Sequence, residues 1–192
     1  ILGSRDLDRG QQALESLGTA ARATLLQLDV TSQPSIDAAL KALQAQNVRL
    51  DALVNKAGVA TGFTYKGADA MRDTLSCNFY GVEAVTRTLL PLIVDGGRIV
   101  MIGSGAGPSF VEKCSAERQA LLTDPQVEFG SLKALCDEAQ AVADQVDRGN
   151  EDADAAFAKI GLNSGAYGLS KACLAAYAMH VARSNTGLTV ST

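Results

Sequence analysis

Histidine is almost missing from this sequence: His180 is the only one in 192 residues. That excludes a multi-histidine metal site, and a Ser-His-Asp hydrolase would have to rest on that one ring. Cysteine is sparse as well. Cys77, Cys114, Cys136 and Cys173 are widely spaced and form no C-x-x-C pair, so neither a zinc knuckle nor a redox dithiol is indicated, and all four read as reduced packing residues. No basic cluster stands out in a chain of formal net charge −4, which leaves nucleic acid and anionic membrane without an electrostatic footprint. No apolar run approaches the roughly 20 residues needed to cross a bilayer. The G-x-S-x-G nucleophile elbow is absent too. These absences favour a soluble protein of a reducing compartment, expected to be cytoplasmic and to hold no metal.

Nearly half of the residues are apolar and a fifth are charged, enough for one domain to bury a full core. Apolar runs of strand length alternate with segments of helical period, the pattern of βαβ units. Strands are expected at 1–4, 24–30, 50–55, 98–104 and 188–191, and helices at 7–17, 34–46, 69–90 and 167–184. Pro34 suits a first helical turn, and Pro91 marks the end of the third helix. The fold class read from this order is α/β, a Rossmann-like doubly wound parallel sheet, in a single domain over 1–192. The stretch 105–165 breaks the alternation. Leu132, Leu135, Val142 and Val146, with Ala139 between, fall on one helical stripe, so this stretch reads as a helical insertion.

Tyr167 and Lys171 stand four residues apart at the start of an alanine-rich helical run, which puts them on one helix face. A free phenol, with a pKa of about 10, is a poor acid–base catalyst near neutrality. An ammonium about 4 Å away, at an effective dielectric of about 20, stabilises its anion by about 4 kcal/mol. His180 sits well round the same helix from Tyr167, so a structural role is expected of it.

The pair has company. Upstream come Leu28-Asp29-Val30-Thr31, then Leu53-Val54-Asn55-Lys56-Ala57-Gly58, then Cys77-Asn78-Phe79-Tyr80-Gly81-Val82, then Gly97 to Ser104 with the run Arg98-Ile99-Val100-Met101-Ile102-Gly103. In this order and spacing, and over the whole of 1–192, the sequence resembles the short-chain dehydrogenase/reductase family, and within it the carbonyl reductases. The resemblance implies NADPH-dependent reduction of an aldehyde, ketone or quinone to an alcohol by hydride transfer. Tyr167 would be the general acid, Lys171 its electrostatic partner and a ribose contact, Ser104 the hydroxyl that orients the carbonyl, and Asn78 the holder of a water linked to the lysine. Asp29 would accept from the adenine amino group with Val30 touching the ring; read from the residues alone, Asp29 serves equally as a helix cap near Ser32. Asn55, Ala57 and Gly58 would let the backbone approach the cofactor ribose, with Lys56 in place of the usual second asparagine.

Arg5 and Arg9 would hold the 2′-phosphate of NADPH in preference to NADH, since a guanidinium fork matches a phosphate. Asp6 between them either turns outward or reaches the ribose. Gly103-Ser104-Gly105-Ala106-Gly107 is a poor dinucleotide fingerprint, because Pro108 stands where the third glycine belongs. The resemblance also implies that the family's first strand and glycine-rich loop precede Ile1, so the chain reads as an incomplete piece whose sheet lacks its central strand. Between Ser104 and Tyr167 lie 62 residues, an insertion that monomeric carbonyl reductases share, which favours a monomer. Two further readings stay open: a non-catalytic nucleotide-binding member of the same fold, and an inactive fragment.

Overall fold

The computed structural model describes residues 1–18, 22–60, 62–149 and 151–192. Apolar runs form the strands and helical segments connect them. β1 (Leu2–Ser4) leads into α1 (Leu7–Ser16), β2 (Leu25–Gln27) into α2 (Gln33–Ala45), and β3 (Leu50–Asn55) into α3 (Ala68–Leu75). A π-helical turn, Ser76–Tyr80, joins α3 to α4 (Gly81–Leu89), and a 3₁₀ turn at Leu90–Leu92 leads to β4 (Ile93–Met101). Then come α5 (Ala106–Val111), α6 (Ala116–Thr123), α7 (Phe129–Gly149), α8 (Ala153–Lys159), α9 (Ala166–Ser184) and β5 (Thr189–Ser191).

All strand pairs are parallel. β1 pairs with β2, placing Leu2 opposite Leu25, while β3, β4 and β5 form a second sheet in that order, with Asn55 level with Met101. Among the described residues no strand lies between the facing edges of β1 and β3; a cavity of about 660 Å³ lies there, walled by Leu2 and Leu26 on one side and Ala52 and Val54 on the other. Parallel strands are normally covered on all sides, yet Val54 is 54% exposed. The opening falls where the sequence reading puts the central strand.

Three sequence expectations are corrected in detail. β4 starts at Ile93, five residues before the expected start at Arg98, because Leu50 pairs with Ile93 before Gly96 turns the chain at φ 75° and the register shifts. β4 also stops at Met101, short of Ser104, and β2 stops at Gln27, short of Val30. The single helix expected over 69–90 is two helices joined by the π turn, with Asn78 in the middle of that turn.

The cause of the close packing there is Gly81. A Cβ at this position would lie 2.8 Å from the Val30 carbonyl oxygen and 3.1 Å from Val30 Cγ2. Its helical dihedrals would suit any residue, so the constraint is space alone. Gly81→Ala is expected to destabilise the fold by roughly 1–3 kcal/mol through overpacking, despite the better helix propensity of alanine. Thermal melting of the two proteins measures this, and an unchanged or raised Tm would show that the approach of α4 to the segment after β2 is looser than described.

The described residues of 105–165 carry α5 to α8 and dock on the body through named groups. α7 packs against α3 and α9, burying Leu132, Leu135, Cys136, Ala139, Ala143 and Val146; Val142 is only half-buried, at the edge of the stripe. The Asp147 carboxylate accepts from the Tyr65 hydroxyl at 2.7 Å and from Ala68 N–H at 2.8 Å. The second bond caps α3 from another helix, since Gly67 at its N-cap has no side chain to offer. Arg72 joins Asp144 on α7 at 3.0 Å.

Candidate active site

α9 carries the Tyr167–Lys171 pair. Nearly half of its residues are alanine, glycine or serine and it is buried on most sides, so neighbouring elements approach its backbone closely. α5 does so at Gly107, where a Cβ would fall 3.1 Å from the Lys171 carbonyl carbon and oxygen. That contact brings the loop after β4, which holds Ser104, against the first turns of α9. Lys171, only 7% exposed, spans the same junction by donating from Nζ to the Ile102 carbonyl oxygen at 2.5 Å. Its ammonium also lies 5.8 Å from the centroid of the Tyr167 ring. Burial lowers the Lys171 pKa from the ordinary lysine value, an effect opposed by attraction to Tyr167 and Cys77. Ser104 Oγ accepts from Ala106 N–H at 3.2 Å, which closes the turn beyond the strand.

Asn78 is buried at 1% exposure and ties three segments together. Its Oδ1 accepts from Val59 N–H at 2.8 Å, and its Nδ2 donates to the Val59 carbonyl at 2.9 Å and to Ser170 Oγ at 3.1 Å. The π turn supplies the geometry, since an extra residue in the turn re-aims a side chain that a regular helix would hold elsewhere. Asn78 thus links the loop after β3 to α9, and Ser170 is the residue through which it does so. Ser170 also donates back to the Tyr167 carbonyl at 2.8 Å. The sequence reading missed Ser170, although a polar residue three positions after Tyr167 on a buried helix face is a usable signal.

Of the residues expected to hold the cofactor, six share one cavity, while Arg9, Tyr167 and Lys171 do not line it. Arg5, Asp29, Val30, Asn55, Ala57 and Gly58 all line the cavity between β1 and β3, at the carboxyl ends of their strands where ligands bind in such sheets. Asn55 is oriented by donating to Thr86 Oγ1 at 3.1 Å, a second partner the sequence did not reveal. Gly58 approaches the Asn78 amide, where a Cβ would meet Oδ1 at 3.2 Å. Asp29 is not the cap of α2: Ser32 accepts from Ser35 N–H in that role, while Asp29 Oδ1 accepts from Thr31 N–H and Oγ1 at 2.9 and 2.7 Å. Those two bonds, with the Arg5 charge nearby, hold the Asp29 carboxyl below the usual carboxylate range. Asp6 caps α1 by accepting from Arg9 N–H at 2.9 Å and pairs with the Arg9 guanidinium at 3.6 Å, so Arg9 faces Asp6 and only Arg5 of the two arginines borders the cavity. The exposed backbone at Ala57 and Gly58 and the Arg5 cation fit the ribose and phosphate of a dinucleotide, while the apolar interior is the gap between β1 and β3.

The family model described as short chain dehydrogenase matches residues 1–116. The chain belongs to the short-chain dehydrogenase family. It is 36% identical over 126 residues to carbonyl reductase [NADPH] 1 of Bos taurus, a match covering 62% of this chain and 44% of that protein. Over 179 residues it is 30% identical to the Rattus norvegicus carbonyl reductase [NADPH] 1, covering 89% and 60%. The chain therefore spans about half the length of the curated relatives it matches. Among solved structures, salutaridine reductase from Papaver somniferum and menthone neomenthol reductase from Mentha piperita both superpose with a TM-score of 0.80 at 22% identity. Each match covers 98% of this chain, with 74% and 77% of the two reductases. The structural likeness establishes a Rossmann-like α/β fold, and the family model with the carbonyl reductase relatives makes this an oxidoreductase family. His180, by contrast, serves structure: its Nδ1 sits 3.3 Å from the Val127 carbonyl and its ring stacks on Tyr177. No helix of the described residues is long and apolar enough to cross a membrane.

Proposed function

We propose that the whole protein reduces the carbonyl group of a small aldehyde, ketone or quinone to an alcohol with NADPH, acting as a monomer of the cytoplasm. The observation that carries this reading is the anchoring of Lys171 on the Ile102 carbonyl, because it locks the Tyr167 helix against the strand tip that presents Ser104. NADPH, when bound, supplies the hydride. Ser104 donates a hydrogen bond to the carbonyl oxygen and stabilises the charge that develops there. Tyr167 gives its proton to that same oxygen as it becomes an alkoxide. Lys171 stabilises the phenolate left behind. Asn78 and Ser170 are positioning residues that hold the loop after β3 against α9. Support for NADPH over NADH comes from Arg5 beside Asp29 at the cavity mouth and from the bracketed cofactor in the relatives' names.

The test follows NADPH oxidation with a panel of aldehydes, ketones and quinones. It compares the 192-residue chain with a longer polypeptide that adds a strand and glycine-rich loop ahead of Ile1. The longer protein is expected to turn over NADPH in preference to NADH and to bind it more tightly. NADPH binding without turnover of any carbonyl by the longer protein would instead favour a nucleotide-binding protein of this fold.

A further inference from the structure

Phe63 is 75% exposed, the most exposed of the chain's large apolar side chains. Its ring stands 5.7 Å from that of Tyr167, centroid to centroid, with the two planes at 88°. Chance does not hold it there, because the Phe63 carbonyl is pressed onto the start of α9: a Cβ at Gly165 would sit 2.7 Å from that oxygen. A second cavity, of about 230 Å³, opens beside it, lined by Phe63, Ala106, Phe110, Lys113, Gly165 and others. Its walls come from the loop after Ser104 and from residues on either side of Tyr167 in sequence, and it shares no lining residue with the cavity between β1 and β3.

Resting on the functional reading above, we infer that Phe63 is a specificity-determining residue and that the substrate is an aryl carbonyl compound, whose ring packs on Phe63 while its oxygen meets Tyr167 and Ser104. An exposed phenyl group perpendicular to the reacting tyrosine offers a flat apolar face to a flat ring, and such pairs gain energy beyond simple burial. A short aliphatic carbonyl leaves most of that face in water. Among the described residues Lys113 is the one charged side chain of this cavity wall, and its position suits a substrate that is neutral or anionic.

The experiment compares benzaldehyde with propanal in the longer NADPH-binding protein, with Phe63→Ala and Phe63→Tyr variants. Phe63→Ala is expected to lower the benzaldehyde-to-propanal ratio of kcat/KM about tenfold, mostly through KM, with Phe63→Tyr restoring it. Saturation-transfer NMR of benzaldehyde on the same proteins reads contact independently of turnover, and its signal is expected to weaken in Phe63→Ala and return in Phe63→Tyr. A ratio and an NMR signal unchanged in Phe63→Ala, or equal losses for both aldehydes, would overturn the inference. If the unsubstituted protein reduces neither aldehyde, the functional reading fails by itself, and the NMR arm still decides whether Phe63 holds an aryl ring.

Discussion

Tyr167→Phe is expected to lower kcat for carbonyl reduction by roughly a thousandfold, within the range seen when a positioned proton donor is lost. The substitution removes one oxygen and keeps the ring that packs against Phe63 at 5.7 Å, so the start of α9 and the NADPH affinity should persist. Steady-state kinetics with a fluorescence titration of NADPH separate the two effects. Loss of turnover with binding kept within severalfold supports a proton donated in the transition state. Loss of binding in parallel would assign Tyr167 to the cofactor instead.

Lys171→Met should cost roughly a hundredfold or more in kcat, since the variant keeps length and apolar bulk but removes the charge that stabilises the phenolate. Its effect on stability has two opposing parts. The Ile102 carbonyl loses its partner at 2.5 Å, a cost of up to about 1.5–3 kcal/mol for a hydrogen bond from a charged group, while the desolvation penalty of a buried ammonium disappears. The pH dependence separates them. Burial lowers the Lys171 pKa from its ordinary 10.5, so between the folded and unfolded values the unfolded chain binds more protons, and the stability of the lysine protein rises with pH. Denaturant unfolding should therefore show the lysine protein gaining on the methionine variant as the pH approaches 10.5 from below. A gap that narrows in the variant's favour would mean that the lysine is stabilised as a charged group in the fold.

Much of the site was legible because its chemistry sits on regular elements. Tyr167 and Lys171 share a helix face, Asn55 ends one strand that an apolar run announces and Ser104 follows another. The third helix was misread as continuous because nothing in 69–90 breaks helical periodicity: a π turn adds one residue to a turn without needing glycine or proline. The start of β4 was hidden by Asp95-Gly96-Gly97, which reads as a turn and is in fact an irregularity inside the strand. Phe63 escaped notice because it lies in a loop with no period, where exposure and partner are set by tertiary packing on Gly165. Arg9 has the same chemistry as Arg5 but stands paired with Asp6 outside the cavity wall.

Whether two hydroxyl groups from separate elements converge on one carbonyl oxygen is tested most directly by a double-mutant cycle. The kcat values of Ser104→Ala, Tyr167→Phe and the combined variant are measured on the same aldehyde. If both groups serve one developing charge, the combined variant is expected to be little slower than Tyr167→Phe alone. Losses that multiply, as for two independent sites, would contradict the convergence.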